Sequence, residues 1–379
     1  MFLSELRLYH YRNLADNTLN LCPGINFVVG QNGQGKTNLL EAIHLLSTTR
    51  SFRTIKYQEL IGWDQEEASV FGRIERTDFN LELGLSLEKK KRRVFVNGEE
   101  AKSYAHYLEN FVSVSFTPSD LEIVQGGPPA RRRFLDRYMC FVFPSVFEKL
   151  VSYQRALKNK NAHLKQKSVT VAQVQAWNEI LIPLSYEISQ VRKQFLSLIE
   201  TKAARALSEL APQDGTLQLS LESNISEGEG RSEDEVRRKY EELIPREIAS
   251  QRTLIGIHRD DVGIVVGNRK ARSFASQGQT RSIVLALVLG VMELLEEKIG
   301  EPPVVLLDDV ESELDDRRTQ NLFQLAFSRG CQVFVSGTHY EHVKEWCKSD
   351  GQQIITVSNG KITTADTIFH AQNVCVNER

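Results

Sequence analysis

Eight residues, Gly30-Gln31-Asn32-Gly33-Gln34-Gly35-Lys36-Thr37, constrain the fold of this chain more than any others. They match in full the glycine-rich loop that cradles nucleotide phosphates. An apolar run, Ile25 to Val29, precedes them, and a helical pattern through Leu39, Leu40, Ile43, Leu45 and Leu46 follows. Strand, glycine turn and helix in that order call for an α/β sheet around them. Gly30, Gly33 and Gly35 free the backbone from Cβ clashes, so successive N–H groups can face anionic oxygens at the positive end of a helix dipole. Lys36 is placed to reach the β- and γ-phosphates, and Thr37 to ligate Mg²⁺ through its hydroxyl.

At 379 residues, two or three compact units are expected, and an apolar fraction of 41% supplies their cores. Lys plus Arg number 47 against 49 Asp plus Glu, so any nucleic acid has to be held by local basic patches. The longest clean apolar run, Ile283 to Met292, is too short to cross a bilayer. Glu5, Arg7, His10 and Arg12 make the N-terminus unlike a signal peptide. Cys22, Cys140, Cys331, Cys347 and Cys375 show neither close pairing nor metal spacing, which suits a reducing, cytoplasmic setting.

Leu81, Leu83, Leu85 and Leu87 alternate as a half-buried strand, and Val94 and Val96 form another that ends at the turn pair Asn97-Gly98. From about Pro118 to Ser250 helical patterns dominate, with a lone strand at Thr216 to Leu221 and a polar, acidic loop from Ser223 to Asp234. Strand–helix alternation then returns through Val262 to Val266, Val304 to Leu307 and Val333 to Val335. A closing hairpin is expected at Ile354 to Val357 and Lys361 to Thr364, around Asn359-Gly360. The economical reading is a split α/β unit, residues 1–112 and 255–379, with a mainly helical insertion over 113–254.

Two further motifs carry chemistry. The strand Val304 to Leu307 runs into Asp308 and Asp309: the first placed to hold Mg²⁺, the second to orient or deprotonate the attacking water. A strand ending in an acidic turn is common alone, but Glu311-Ser312-Glu313-Leu314-Asp315 follows, then a strand leading to Thr338-His339. His339 stands either at the γ-phosphate or on the surface near His342. Ser276-Gln277-Gly278-Gln279 opens a strongly apolar helix. Its hydroxyl and N–H groups can bind anionic oxygens, although the string by itself is an ordinary helix cap.

In this order the three motifs resemble those of ABC-type ATPases, implying a mixed sheet with an antiparallel subsheet and ATP as the nucleotide. In that class the signature, here Ser276, Gly278 and Gln279, closes over ATP on the P-loop of a second subunit, so a homodimer is implied. Several stretches narrow the resemblance to the RecF family: Leu6 to Leu14, Ser47-Thr48-Thr49-Arg50-Ser51-Phe52-Arg53, Phe116 to Leu121, Gly127 to Asp136, and Gly256-Ile257-His258-Arg259-Asp260-Asp261. It spans Leu6 to His339 and adds Arg12 and Asn13 to the nucleotide set. Where the ABC class has a catalytic glutamate this chain has Asp309, and Thr117-Pro118 stands where a Q-loop glutamine is expected. The resemblance implies slow ATP hydrolysis, a clamp on duplex DNA beside single-stranded gaps, and RecR, RecO and RecA as functional partners. Candidate DNA contacts are Lys89, Lys90, Lys91, Arg92 and Arg93, then Arg131 and Arg132 with Arg133, and Arg237-Arg238-Lys239. Arg50 and Arg53 face either DNA phosphate or nucleotide. A transporter subunit is a poorer match, because the path from Gly30 to Ser276 is too long. An SMC-type arm is excluded because the insertion is short and broken by Pro144, Pro183, Pro212 and Pro245.

Overall fold

The computed structural model describes residues 1–89, 91–225, 232–310, 316–338 and 351–364. Lys90, part of the expected acidic loop (226–231), the stretch 311–315, His339 and His342 lie outside the described residues. Two compact units result: Met1–Ser119 with Leu295–Arg379, and Asp120–Leu294.

The first unit holds two six-stranded sheets. One is antiparallel: β1 (Phe2–Tyr9), β2 (Asn17–Asn20), β4 (Glu67–Glu75), β5 (Asn80–Glu88), β6 (Arg92–Val96) and β7 (Glu99–Glu100), in the order β2-β1-β4-β5-β6-β7. Leu81, Leu83, Leu85 and Leu87 all point into the core. The β6–β7 turn has φ of 52° at Asn97 and 81° at Gly98, the left-handed pair that an Asn-Gly hairpin favours. The other sheet contains β3 (Ile25–Val29), β8 (Ser113–Phe116), β12 (Val304–Leu307), β13 (Val333–Gly337), β14 (Gln352–Ser358) and β15 (Lys361–Thr364). Its order is β15-β14-β3-β13-β12-β8, parallel except for β15. β8, β12 and β13 are buried along their whole length, as strands of a parallel sheet covered on both faces must be. Helix α1 (Lys36–Thr48) buries Leu39, Leu40, Ile43, Leu45 and Leu46. It seats on β4 at Gly72, where a Cβ would stand 2.5 Å from Leu46 Cδ2. Helices α2 (Tyr104–Leu108) and α10 (Asp316–Ser328) complete the unit.

In the second unit α5 (Val146–Leu164) and α7 (Glu233–Ser250) pack on α6 (Val171–Leu210). α6 starts at a Thr170–Gln173 capping box and buries Leu181, Ile188, Phe195, Ile199 and Ala203 at helical spacing. The shorter α3 (Glu122–Gln125), α4 (Pro128–Val142), α8 (Ala271–Phe274) and the start of α9 (Gln277–Ile299) join them. A three-stranded antiparallel sheet, β11-β10-β9, also belongs here: β9 (Leu217–Glu222), β10 (Asp261–Val266) and β11 (Arg269–Lys270).

Two expectations are thereby corrected. The strand near residue 217 is not alone, because β9 pairs with β10 along its full length. The division falls after Ser119 and Leu294, not after 112 and 254. β8 pairs with β12 and so belongs to the nucleotide sheet, while β10 pairs with β9 and so stays with the insertion.

Candidate nucleotide site

Every chemical element of the first unit's site sits at the carboxyl end of a parallel strand, where open α/β sheets bind ligands. The P-loop leaves β3, Asp308 leaves β12, Ser336 is near the end of β13 and Thr117 follows β8. Gly33 and Gly35 have φ of 81° and 120°, conformations that a side chain disfavours. At Gly35 a Cβ would also stand 2.8 Å from Leu14 Cδ2. α1 begins behind Gly35 with no side chain capping it, so an anion bound there would meet the positive end of the helix. The Lys36 ammonium spans the loop, donating to the Gly30 carbonyl at 2.5 Å and the Gln31 carbonyl at 3.1 Å.

Contacts from distant sequence brace this loop. The Gln34 carbonyl accepts from Asn13 Nδ2 at 3.4 Å and from the Gly360 N–H at 3.1 Å. Gln34 Oε1 accepts from the Asn359 N–H. The closing hairpin therefore ends against the P-loop. A Cβ at Gly360 would lie 1.9 Å from the Asn13 carbonyl oxygen, which only glycine avoids. Asn13 Oδ1 accepts from Asn38 Nδ2 at 2.6 Å, and Asn38 Oδ1 from Arg53 Nη1 at 2.6 Å. Arg53 also favours the charged form of Asp308, so it lies on the nucleotide side of the unit. Arg12 commits its fork to the buried carboxylate of Glu41, at 2.6 and 2.8 Å, and to the Glu59 carbonyl at 2.9 Å. Arg12 thus joins the end of β1 to α1, while its neighbour Asn13 touches the loop.

Thr37 Oγ1 donates to Asp308 Oδ1 at 3.0 Å, and Ser336 Oγ donates to the same oxygen at 2.7 Å. Burial raises the Asp308 pKa above the usual carboxylate range, with the two hydroxyl donors opposing it. Hydroxyl and carboxylate converging in this way form a hard-oxygen pair of the kind that would fit Mg²⁺. Asp309 is exposed and left-handed, φ 51°, and its N–H donates to Ser336 Oγ at 3.0 Å. Ser336, which the sequence motifs did not single out, thus serves both aspartates. Its only trace in the sequence is a hydroxyl at the end of an apolar strand. Thr117 Oγ1 meets Ser119 Oγ at 2.8 Å, and no glutamine stands at that strand end.

In the second unit, Ser276 and Gln279 form a capping box at the head of α9. The Gln279 N–H donates to Ser276 Oγ at 3.2 Å, and the Ser276 N–H to Gln279 Oε1 at 3.0 Å. Ser276 is exposed, and Gly278 takes the second helical position.

The basic clusters separate sharply. Arg131 is 4% exposed and forks onto Asp261 at 2.6 and 2.9 Å, so its assignment to DNA is corrected: it is a core ion pair. Arg132 donates to the Asp260 carbonyl at 2.6 Å. Arg192 pairs with both Asp136 and Asp260. The Arg131–Arg132 and His258–Asp261 stretches, read separately in the sequence, are two sides of one buried network. Arg237 pairs with Glu179 and Glu233, and Lys239 donates to the Asn224 carbonyl. In the first unit Arg92 is folded over the rings of Tyr57 and Tyr104, and Arg93 pairs with Glu88. Lys89 pairs with Glu66 across an exposed surface, and Lys91 is exposed.

The fold and the P-loop with its acidic strand end define the head of an ABC-type ATPase. The family model described as RecF/RecN/SMC N terminal domain matches residues 2–363. A "DNA replication and repair protein RecF" of Geobacillus thermodenitrificans is 35% identical over 91% of this chain and 94% of its own. Another, of Thermosynechococcus vestitus, is 37% identical over 96% and 97%. A solved structure described as the recombination mediator protein RecF-ATPrS in the RecFOR pathway superposes with a TM-score of 0.85 at 30% identity, covering 96% of this chain and 98% of that one. An Smc head bound to the C-winged helix domain of ScpA shares the fold alone, with a TM-score of 0.54 and 15% identity. The chain belongs to the RecF family.

Proposed function

We propose that this chain is an ATP-dependent DNA-binding protein of replication and recombinational repair, and that ATP joins two copies into a clamp on duplex DNA beside single-stranded gaps. The observation that carries the reading is a pair of differently finished helix N-termini: α1 without a side-chain cap behind the P-loop, and α9 capped by Ser276. The first takes the triphosphate. The second, from the other copy, closes over it, giving two shared sites per dimer.

Thr37 and Asp308 would hold Mg²⁺, which when bound would supply charge neutralisation at the phosphate oxygens. Lys36 stabilises the same oxygens, and Asp309 orients the attacking water. Hydrolysis is slow because Asp309 is one methylene shorter than glutamate and its backbone is pinned to Ser336. DNA is held mainly by phosphate contacts around Lys89 to Lys91, so binding is salt-sensitive and weakly sequence-selective. The solved relative in the RecFOR pathway supports a role with RecR and RecO; such a role would be cytoplasmic and upstream of RecA. Among the described residues no helix is long and apolar enough to cross a membrane.

Light scattering with ATP, with and without duplex DNA, tests the reading. A doubling of mass that needs ATP and is strengthened by duplex is expected. A monomer under every condition would overturn it.

A further inference from the structure

The signature capping box has a feature that ordinary helix caps lack. Gln279 spends its Oε1 on the Ser276 N–H, and its Nε2 reaches Asp214 Oδ1 at 3.2 Å. Asp214 closes the short turn Pro212–Asp214 that leads into β9. This turn is itself held in place. The Gly267 N–H donates to the Thr216 carbonyl at 3.1 Å, and a Cβ at Gly215 would stand 2.9 Å from Gly267 Cα. Asp214 and Gln279 line a cavity of about 260 Å³ together with Arg269, Phe274 and Ala275. In that much space an amide with no fixed partner can turn over and take water instead.

We propose that Asp214 is a positioning residue for the shared ATP site, setting the orientation of the Gln279 amide and through it the Ser276 hydroxyl. The inference rests on the shared-site reading. An amide offers an acceptor at one end and donors at the other. With Nε2 held by a carboxylate, Oε1 is the end that faces the Ser276 N–H. Were the amide reversed, two donors would face each other and the box would open. In the intact box Ser276 Oγ accepts the Gln279 N–H, so its single proton is directed away from the helix. That proton, with the N–H groups of the first turn of α9, is what the terminal phosphate on the second copy meets. Asp214 never touches the nucleotide. It decides whether the donor is presented.

The test uses the full chain and reads the protein concentration at which ATP drives dimerisation. Asp214→Ala is expected to raise that concentration about tenfold, the worth of one charge-assisted hydrogen bond, with monomeric ATP affinity unchanged. Gln279→Glu should do the same, because it sets one carboxylate against another. Combining Gln279→Glu with Asp214→Asn restores an acceptor for the Ser276 N–H and a donor across the gap, so dimerisation should return to within about threefold. Failure of that exchange to improve on Gln279→Glu alone overturns the inference, as does unmutated behaviour of Asp214→Ala. The exchange answers the question even where Asp214→Ala does not fold. Ser276→Arg is the control: dimerisation that survives it removes the shared site itself, whereas its loss beside an indifferent Asp214→Ala removes only Asp214.

Discussion

The N-termini of α1 and α9 solve one physical problem in opposite ways. Every helix starts with N–H groups that no intrahelical carbonyl can satisfy. α1 has no side-chain cap, because Gly35 has no side chain to supply one, and the loop is braced from behind by Asn13, Asn359 and Gly360. α9 caps one of its own, the Gln279 N–H, with the Ser276 hydroxyl, while Gln279 returns its Oε1 to the Ser276 N–H. Under the proposed shared site, the first would bind alone and the second only what is already held. A cap of that kind stabilises the start of its helix without any ligand.

The largest effect that could break this contrast falls on Lys36. Lys36→Met should weaken ATP binding about 100-fold by calorimetry, because it removes a charge-assisted hydrogen bond to the phosphates. Unchanged affinity would leave α1 no different from α9.

Next in size is Arg131→Ala. It strips the partner from a carboxylate 22% exposed, and should destabilise the protein by about 3 kcal/mol in urea unfolding. DNA affinity per folded molecule should not change. A DNA defect without a stability defect would return Arg131 to the DNA surface.

Asp309→Asn should keep ATP binding and lower turnover about tenfold or more, since only the water-orienting carboxylate is neutralised. Turnover at the unmutated level would show that another group orients the water.

Asp308 gives a smaller effect with a definite sign. Burial raises its folded pKa above the unfolded value, so its contribution to stability is present at low pH and lost as pH rises through the folded pKa. Asp308→Asn should therefore raise the urea midpoint at pH 7 in the absence of metal, and the gain should vanish as the pH falls into the carboxylate range. Mg²⁺-dependent nucleotide affinity should fall at the same time. A midpoint lowered at pH 7 would contradict the burial argument. The smallest change is at the hairpin: replacing Lys89, Lys90 and Lys91 with Gln should lower the salt slope of duplex binding by about 0.9 for each DNA phosphate that is no longer neutralised.

The contrast between the helix ends also marks how far the sequence could be read. The strand, loop and helix around Lys36, and the strand running into Asp308 and Asp309, were legible because such motifs fix residue type at close spacing. Both Asn-Gly hairpins were legible for a similar reason, since left-handed φ values select few residues. What escaped depends on long-range pairing. Ser336 meets Asp308 only because β13 lies beside β12, and Gly360 meets Gln34 only because β15 ends the same sheet. Three consecutive arginines on a helix cannot share one face, but the sequence does not say which of them turns inward. On α4 Arg131 turns inward to Asp261 while Arg133 stays exposed, because successive helical residues are about 100° apart. The same limit hid the β9–β10 pairing, and with it the true edge of the insertion.

The sharing of the ATP site is tested most directly by mixing two inactive proteins, Lys36→Met and Ser276→Arg. Ser276→Arg alone should bind ATP as a monomer nearly as well as the unmutated chain, yet neither dimerise nor hydrolyse. In each mixed dimer one site carries both defects and the other carries neither. Hydrolysis should therefore reappear on mixing, in proportion to the mixed dimer formed. Loss of ATP binding by the isolated Ser276→Arg monomer would contradict the account, because it would place the signature at its own chain's nucleotide.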